Sequence, residues 1–506
     1  MEAFRTVGRC PLDNLIKGNG GSAMKMLIDS QWVEASDGNW REIRNPGTGE
    51  LIDTVPVATL KDAERALQAA QRGKEAMASL PAHERSAILL RSADAMETSK
   101  SELSELLAQE NGKPVQQTRE ELGATIRIFR GFAEEAKRIF GRVVPMDAVP
   151  GQERHFAMTV RRPLGVVAAI VPFNYPVELY AHKGAAALAA GNAVIAKPPS
   201  DCPLTLLRIA ALMEEAGLPR GAHQMITGPG ALIGEFLARS PGIQMVTVTG
   251  STEVGINISQ KAAEHLKKVH MELGGNDATI ICADADLEKA AEAVVLGRLA
   301  RGNGQICCAV KRIFVEAPVY ERVAELLTQK AEALKVGNQL EEDTDVGPLI
   351  NERAAEKVEV AIDDAVKAGA TLRAGGHRRG AFIEPTVLTD VPPQVELFRE
   401  ETFGPVAPLV AFQTVEEAVE MANDSPYGLQ AAVFTKDISR ALDIAHKLEA
   451  GGVIINWSSA LRVESLPFGG IKMSGHGREG LHDTLDDMTE QKVILVHDAL
   501  TVFAPE

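Results

Sequence analysis

The chain has 506 residues, roughly three to four times a typical domain of about 150, so it forms several domains or one large composite and is no small binding module. Hydrophobic residues make up 45% and charged ones 24%, an ordinary globular balance, and with aromatic residues at only 4% the core must be aliphatic. Fifty-three Lys and Arg stand against 69 Asp and Glu, and the resulting −16 disfavours nucleic acid or an anionic membrane as partner while leaving room for a local basic pocket.

Residues 1–23 carry charges throughout and no apolar core, so they read as a leader outside the folded body and not as a secretory signal. Patterned sequence begins with MLIDSQWV (26–33), and Met24 or Met26 would serve equally well as a start. From 60 to 140 the pattern is that of long amphipathic helices. RHFAMTV (154–160) alternates like a half-buried strand, and GVVAAIVP (165–172) is a continuous apolar run, as in a strand buried on both faces. Strand-like runs at 193–196, 224–227, 245–249 and 279–282 then alternate with helical stretches, which predicts βαβ units and a parallel sheet. A second such region follows Cys307, with strands in IFVEAP (313–318), VAPLVAFQ (406–413), AAVFT (431–435) and GGVIINW (451–457) and helices over 319–334 and 439–448. EQKVILVH (490–497) alternates weakly outside that unit. With 154–160 it makes either an extra sheet whose edge pairs with another chain or a terminal strand capping its own domain.

No run of about 18 uncharged apolar residues exists, so no membrane-spanning helix is expected. Cys10, Cys202, Cys282, Cys307 and Cys308 are odd in number and scattered, unlike a disulfide framework, and no CxxC pair or His/Cys cluster points to a metal. A reduced, cytoplasmic protein is the expectation.

Three segments carry chemistry. In GNGQICCAVKR (302–312) glycines and Gln305 imply a tight turn that presents Cys307, a candidate nucleophile, whereas Cys282 in its apolar strand reads as a small hydrophobe. Glu272 of MELGGND (271–277) has mostly uncharged flanks, so its carboxyl would be partly desolvated and its pKa raised toward the range of a general base. TVTGSTEVG (247–255) is a Gly-rich turn between a strand and a helix, the context of a phosphate cradle, although it is neither a P-loop nor the GxGxxG fingerprint.

These three join VPFNYP (171–176), IAKPPS (195–200), EETFGP (400–405) and LPFGGIKMSGHGREG (466–480) in one order. The ordered set resembles the NAD(P)-dependent aldehyde dehydrogenase superfamily over essentially the whole chain from 26 to 497. The resemblance implies an α/β fold with a Rossmann-like cofactor domain (24–146 and 166–276), an α/β catalytic domain (277–480) and a small oligomerisation sheet (147–165 and 481–506), assembled as a homodimer or homotetramer. It implies that Cys307, not Cys308, attacks the aldehyde to give a thiohemiacetal. Asn174 and the Cys307 N–H would stabilise the alkoxide, hydride would pass to the nicotinamide, and Glu272 would activate water to hydrolyse the thioester. For the cofactor, NAD or NADP, it implies Val171, Pro172, Phe173, Lys197, Gly230, Gly250, Ser251, Gly255, Glu401 and Phe403. Ser200 departs from the Glu that NAD-preferring members often carry there, which makes NADP admissible.

By the same resemblance His182, Arg301 and Arg462 fall where the family lines its substrate funnel, so a short anionic aldehyde, or a hydroxylated one, is the expected substrate. The competing reading pairs Arg301 and Arg462 with local acids such as Glu464. Two other functions stay open: a CoA-acylating dehydrogenase, which Glu272 opposes, and a silent structural protein on the same fold, which intact Cys307, Glu272 and Asn174 oppose.

Overall fold

The computed structural model describes residues 23–499. The leader expected over 1–23, Ala23 excepted, and Cys10 lie outside the described residues.

Two large sheets carry the protein. In the first, the strands His223–Met225, Ala193–Lys197, Val166–Ile170, Met245–Thr249 and Lys268–Glu272 lie side by side and parallel. Four of them, including VVAAI, are buried at every position, because helices cover both faces and no alternation is needed. Short antiparallel strands finish both edges: Met26–Ile28 with Gln31–Val33 at one, Gly475–His476 at the other. The second sheet runs Thr371–Ala374, Thr386–Thr389, Val406–Phe412, Arg312–Glu316, Ala278–Ile281, Gln430–Phe434 and Gly452–Ile455, parallel except for its first strand.

The expected helical stretch resolves into four helices, Leu60–Ser79, Ala82–Thr98, Lys100–Asn111 and Val115–Glu135; the first packs on the first sheet, and the other three pack their apolar stripes mainly against one another and the helix Leu204–Glu215. A capping box starts the first: Thr59 accepts from the Asp62 amide and Asp62 accepts from that of Thr59. A third sheet stands apart, with Phe156–Pro163 flanked by Thr489–Val496 and Arg142–Val144.

Two boundaries differ from the sequence reading. Arg142–Val144 leaves the 24–146 stretch because Val143 pairs with Met158 in the third sheet. Gly475–His476 leaves the 277–480 stretch because Gly475 pairs with Glu272, closing the edge of the first sheet beside a chemical residue.

Candidate active site

Strand register makes one crevice. Ile170 lies beside Lys197 and Thr249 beside Glu272, so neighbouring parallel strands open their C-terminal ends on the same side, where open α/β sheets bind ligands. Lys197 Nζ donates to Ser200 Oγ (3.2 Å), which donates to the Gly228 carbonyl (3.1 Å). Burial, with Arg41 nearby, lowers Lys197 to about 8. Ser200, Gly228, Pro229, Val57 and Arg41 border a cleft of about 60 Å³ here, and a Cβ on Gly230 would lie 3.8 Å from Lys197 Nζ.

Farther along, Ser251 caps the helix Thr252–Ala263, accepting from the Val254 amide. Gly250 faces open space, with nothing nearer than 3.8 Å to a Cβ there, whereas a Cβ on Gly255 would sit 2.4 Å from Leu273, so that glycine lets the helix close on the strand. Val171 N donates to the Lys197 carbonyl (3.1 Å), which leaves Pro172 and Phe173 half-buried at the strand end, Phe173 edge-on to Phe403 at 6.1 Å. Glu401 accepts from the Gly275 amide (3.1 Å) and Lys311 Nζ (2.8 Å), and Gly274 lets its carboxylate come close, since a Cβ there would lie 2.2 Å from it. A buried lysine, two hydroxyls, a capped helix start over an open glycine, and an aromatic pair fit a dinucleotide.

The thiol arrives on a pinned loop. Gly302, Asn303 and Gly304 all have left-handed backbones. Asn303, the non-glycine among them, is held by its side chain, which donates to the carbonyls of Gly112 (3.0 Å) and Pro348 (2.9 Å) and accepts from the Gly347 amide (2.9 Å). The loop leaves Cys307 half-buried while Cys202, Cys282 and Cys308 are buried, so Cys307 is the reachable thiol among the described residues. It packs with Tyr175, Leu179 and Phe468. The two adjacent thiols interact through a hydrogen bond. That bond and burial hold Cys307 well up, while the same bond, with Lys311, Arg462 and Arg301 nearby, eases the loss of a proton from Cys308. Asn174, buried beside Tyr175, has its carbonyl held by Lys113 Nζ (2.7 Å), itself paired with buried Glu121.

Behind Cys307 lies a cluster of buried charge. Glu272, 3% exposed, ends its strand with Oε1 against Gly469, the neighbour of Phe468 in the LPFGG turn, and without a hydrogen-bond partner. Burial raises its pKa; His270 pulls the other way. Glu479 bonds Lys183 Nζ (2.5 Å) and Arg462 (2.6 Å), and Arg462 also approaches Glu178 at 3.9 Å. Arg462 is thus committed to carboxylates, but to Glu479 and Glu178; Glu464 pairs with Arg127 instead.

Arg301 differs. It donates to the Ala460 carbonyl (3.1 Å), stands 5.9 Å from the Tyr175 ring, and among the described residues has no carboxylate within 4 Å. Both residues line a cavity of about 480 Å³ with Lys100, Gln117, Glu178 and Arg462, and the buried Tyr175 hydroxyl lies beside the Arg301 guanidinium. His182 does not reach this cavity, which corrects its expected place at the mouth. It sits 1% exposed in the π-helical turn Ala181–Ala185, edge-on to Phe132, and burial and the charge of Arg462 hold its ring neutral.

Sequence reading passed over Lys113, Tyr175, Lys311 and Glu479. Tyr175, Lys311 and Glu479 lay inside quoted motifs, and for Tyr175 and Glu479 a polar side chain within a buried run was the available signal. Lys311 ties Glu401 to the Cys307 carbonyl, a contact that only folding creates.

A half-buried thiol on a pinned turn, a buried carboxylate and a crevice at the strand ends are the makings of an enzyme site. The sequence model of the aldehyde dehydrogenase family matches residues 32–494, and the chain belongs to that family, whose members use NAD(P)+. It is 41% identical over 473 residues to 3-sulfolactaldehyde dehydrogenase of Priestia aryabhattai, covering 93% of this chain and 98% of that protein. It is 38% identical over 474 residues to the NADP(+) succinate-semialdehyde dehydrogenase of Escherichia coli, covering 93% and 97%. The NAD+ complex of a Bacillus cereus aldehyde dehydrogenase superposes with a TM-score of 0.92 at 36% identity, covering 97% and 99%.

Proposed function

We propose that this aldehyde dehydrogenase oxidises a short aldehyde bearing a carboxylate or sulfonate at its far end, releasing the free acid. The observation that carries the reading is Arg301: a guanidinium in the cavity wall, beside the Tyr175 hydroxyl and, among the described residues, with no carboxylate within 4 Å. An Arg fork matches planar or tripodal anions bidentately. The relatives named for sulfolactaldehyde and succinate semialdehyde support the same class.

The roles follow. Cys307 Sγ adds to the aldehyde carbon, and the Asn174 amide with the Cys307 N–H meets the developing oxyanion. When bound, NAD(P)+ supplies the hydride acceptor. Val171, Pro172, Phe173, Gly230, Gly250, Ser251, Gly255, Glu401 and Phe403 are assigned to its seat, Lys197 and Ser200 to the adenosine ribose; Ser200 leaves space and no charge against a 2′-phosphate. Glu272 takes a proton from water as the water attacks the thioester and Cys307 leaves as thiolate. The three-stranded sheet, with Val493, Leu495 and Val143 exposed and the edge of Thr489–Val496 unpaired among the described residues, is assigned to assembly as a dimer or tetramer.

Kinetics on matched aldehydes, anionic and neutral, test the reading with each cofactor. Arg301→Leu is expected to lower kcat/KM for the anionic aldehyde by about 10- to 100-fold and to leave the neutral analogue nearly unchanged. Equal effects on both would refute the anion assignment.

A further inference from the structure

His270 and Glu272 lie two residues apart on Lys268–Glu272, so the pleat turns both side chains to one face of the sheet. Both are buried. His270 Nε2 and Glu272 Oε1 stand 3.7 Å apart, and neither atom has a hydrogen-bond partner. On its other side the ring meets Asp487, with Nδ1 3.0 Å from Oδ2. Gly477, with φ +96°, makes room for the ring, since a Cβ there would fall 2.6 Å from His270 Nδ1. Gly469 does the same for the carboxylate, at 2.7 Å from Glu272 Oε1. An imidazole seated between two carboxylates, its second nitrogen turned to an unpartnered buried oxygen, is placed as a charged ring and not as packing.

We propose that His270, anchored by Asp487, is a positioning residue for the general base: as an imidazolium it keeps Glu272 ionised in the desolvated site and so sets the pH below which the thioester is no longer hydrolysed. The proposal rests on Glu272 being that base. The other charges facing the pair come from three elements. Glu479, beyond Gly475–His476, raises Glu272; Arg462, from the loop across, lowers it; Lys183 and neutral His182, on Ala181–Ala185, face Glu479. Lys183 and Arg462 give their direct bonds to Glu479, which leaves His270 as the cation next to Glu272. Burial opposes charge on the ring, but Asp487, Glu272 and Glu479 outweigh it and push His270 up to about 9, so it is charged throughout the neutral range.

The test separates formation of the acyl-enzyme from its hydrolysis. In the full enzyme, rapid-mixing experiments give the burst of reduced cofactor and steady-state turnover gives kcat, each from about pH 5.5 to about 10. Without the cation the pKa of Glu272 rises. His270→Gln is therefore expected to keep its burst while the acid limb of kcat moves up by about 1–3 pH units. Turnover near pH 7 then falls about tenfold or more and recovers on the alkaline side. Asp487→Asn, which leaves the ring in place, is expected to shift the limb in the same direction by less, and it carries the test if His270→Gln does not fold. An unmoved limb with the burst intact, or a loss uniform with pH, would overturn the proposal while leaving Glu272 as base. Wild-type turnover in Glu272→Gln would instead remove the base assignment, and the proposal with it.

Discussion

Two groups of polar side chains around the cavity beside Tyr175 behave oppositely. On one side Arg462, Glu479 and Lys183 bond one another, with Glu178 close, and their charges are met within the protein. On the other, Arg301 and Tyr175 face the same cavity, and among the described residues no carboxylate lies within 4 Å of the Arg301 guanidinium. The saturated cluster fixes the turn that carries Gly469 against Glu272; the Arg301 guanidinium is free to meet a ligand. Argument from position in the sequence treats Arg301 and Arg462 alike, and only the partners separate a structural arginine from a recognising one.

The same substitution at each arginine should break this symmetry in opposite ways. The largest effect falls on Arg462→Leu, which strips a buried partner from Glu479 and is expected to cost about 3–5 kcal/mol of stability, read by denaturant unfolding. Arg301→Leu should leave the unfolding midpoint nearly unchanged and instead reduce discrimination for the anionic aldehyde, by about 10- to 100-fold as above. A stability loss at Arg301 matching that at Arg462 would erase the distinction. The smallest effect is electronic. Cys308→Ala removes the bond that, with burial, holds Cys307 up, so the Cys307 thiol should ionise more readily and react with iodoacetamide at neutral pH about two- to fivefold faster. Slower alkylation would show that Cys308 promotes the nucleophile.

Most of the two large sheets was legible, because strands buried on both faces announce themselves as unbroken apolar runs, as Val166–Ile170 does. Gly475–His476 was not, for two residues carry no periodicity and that strand exists only because Glu272 offers it an edge. In the site, Cys307 and Glu272 stood out from their own neighbours in sequence, and Asn174 came from the family resemblance. Lys113 and Lys311 did neither, since each acts on a group 61 and 90 residues away, Asn174 and Glu401 respectively. His182 misled for a related reason: spacing brought it near the funnel in sequence, but the π-helical turn directs it into the core against Phe132.

The central claim is that Cys307 carries an acyl group which Glu272 delivers to water. Glu272→Gln incubated with a short anionic aldehyde and NAD(P)+, then digested and weighed by mass spectrometry, addresses it directly. The account predicts an acyl adduct accumulating on Cys307 with turnover down about 10²- to 10⁴-fold. An adduct on Cys308, or acid released at the wild-type rate with no adduct, would contradict it.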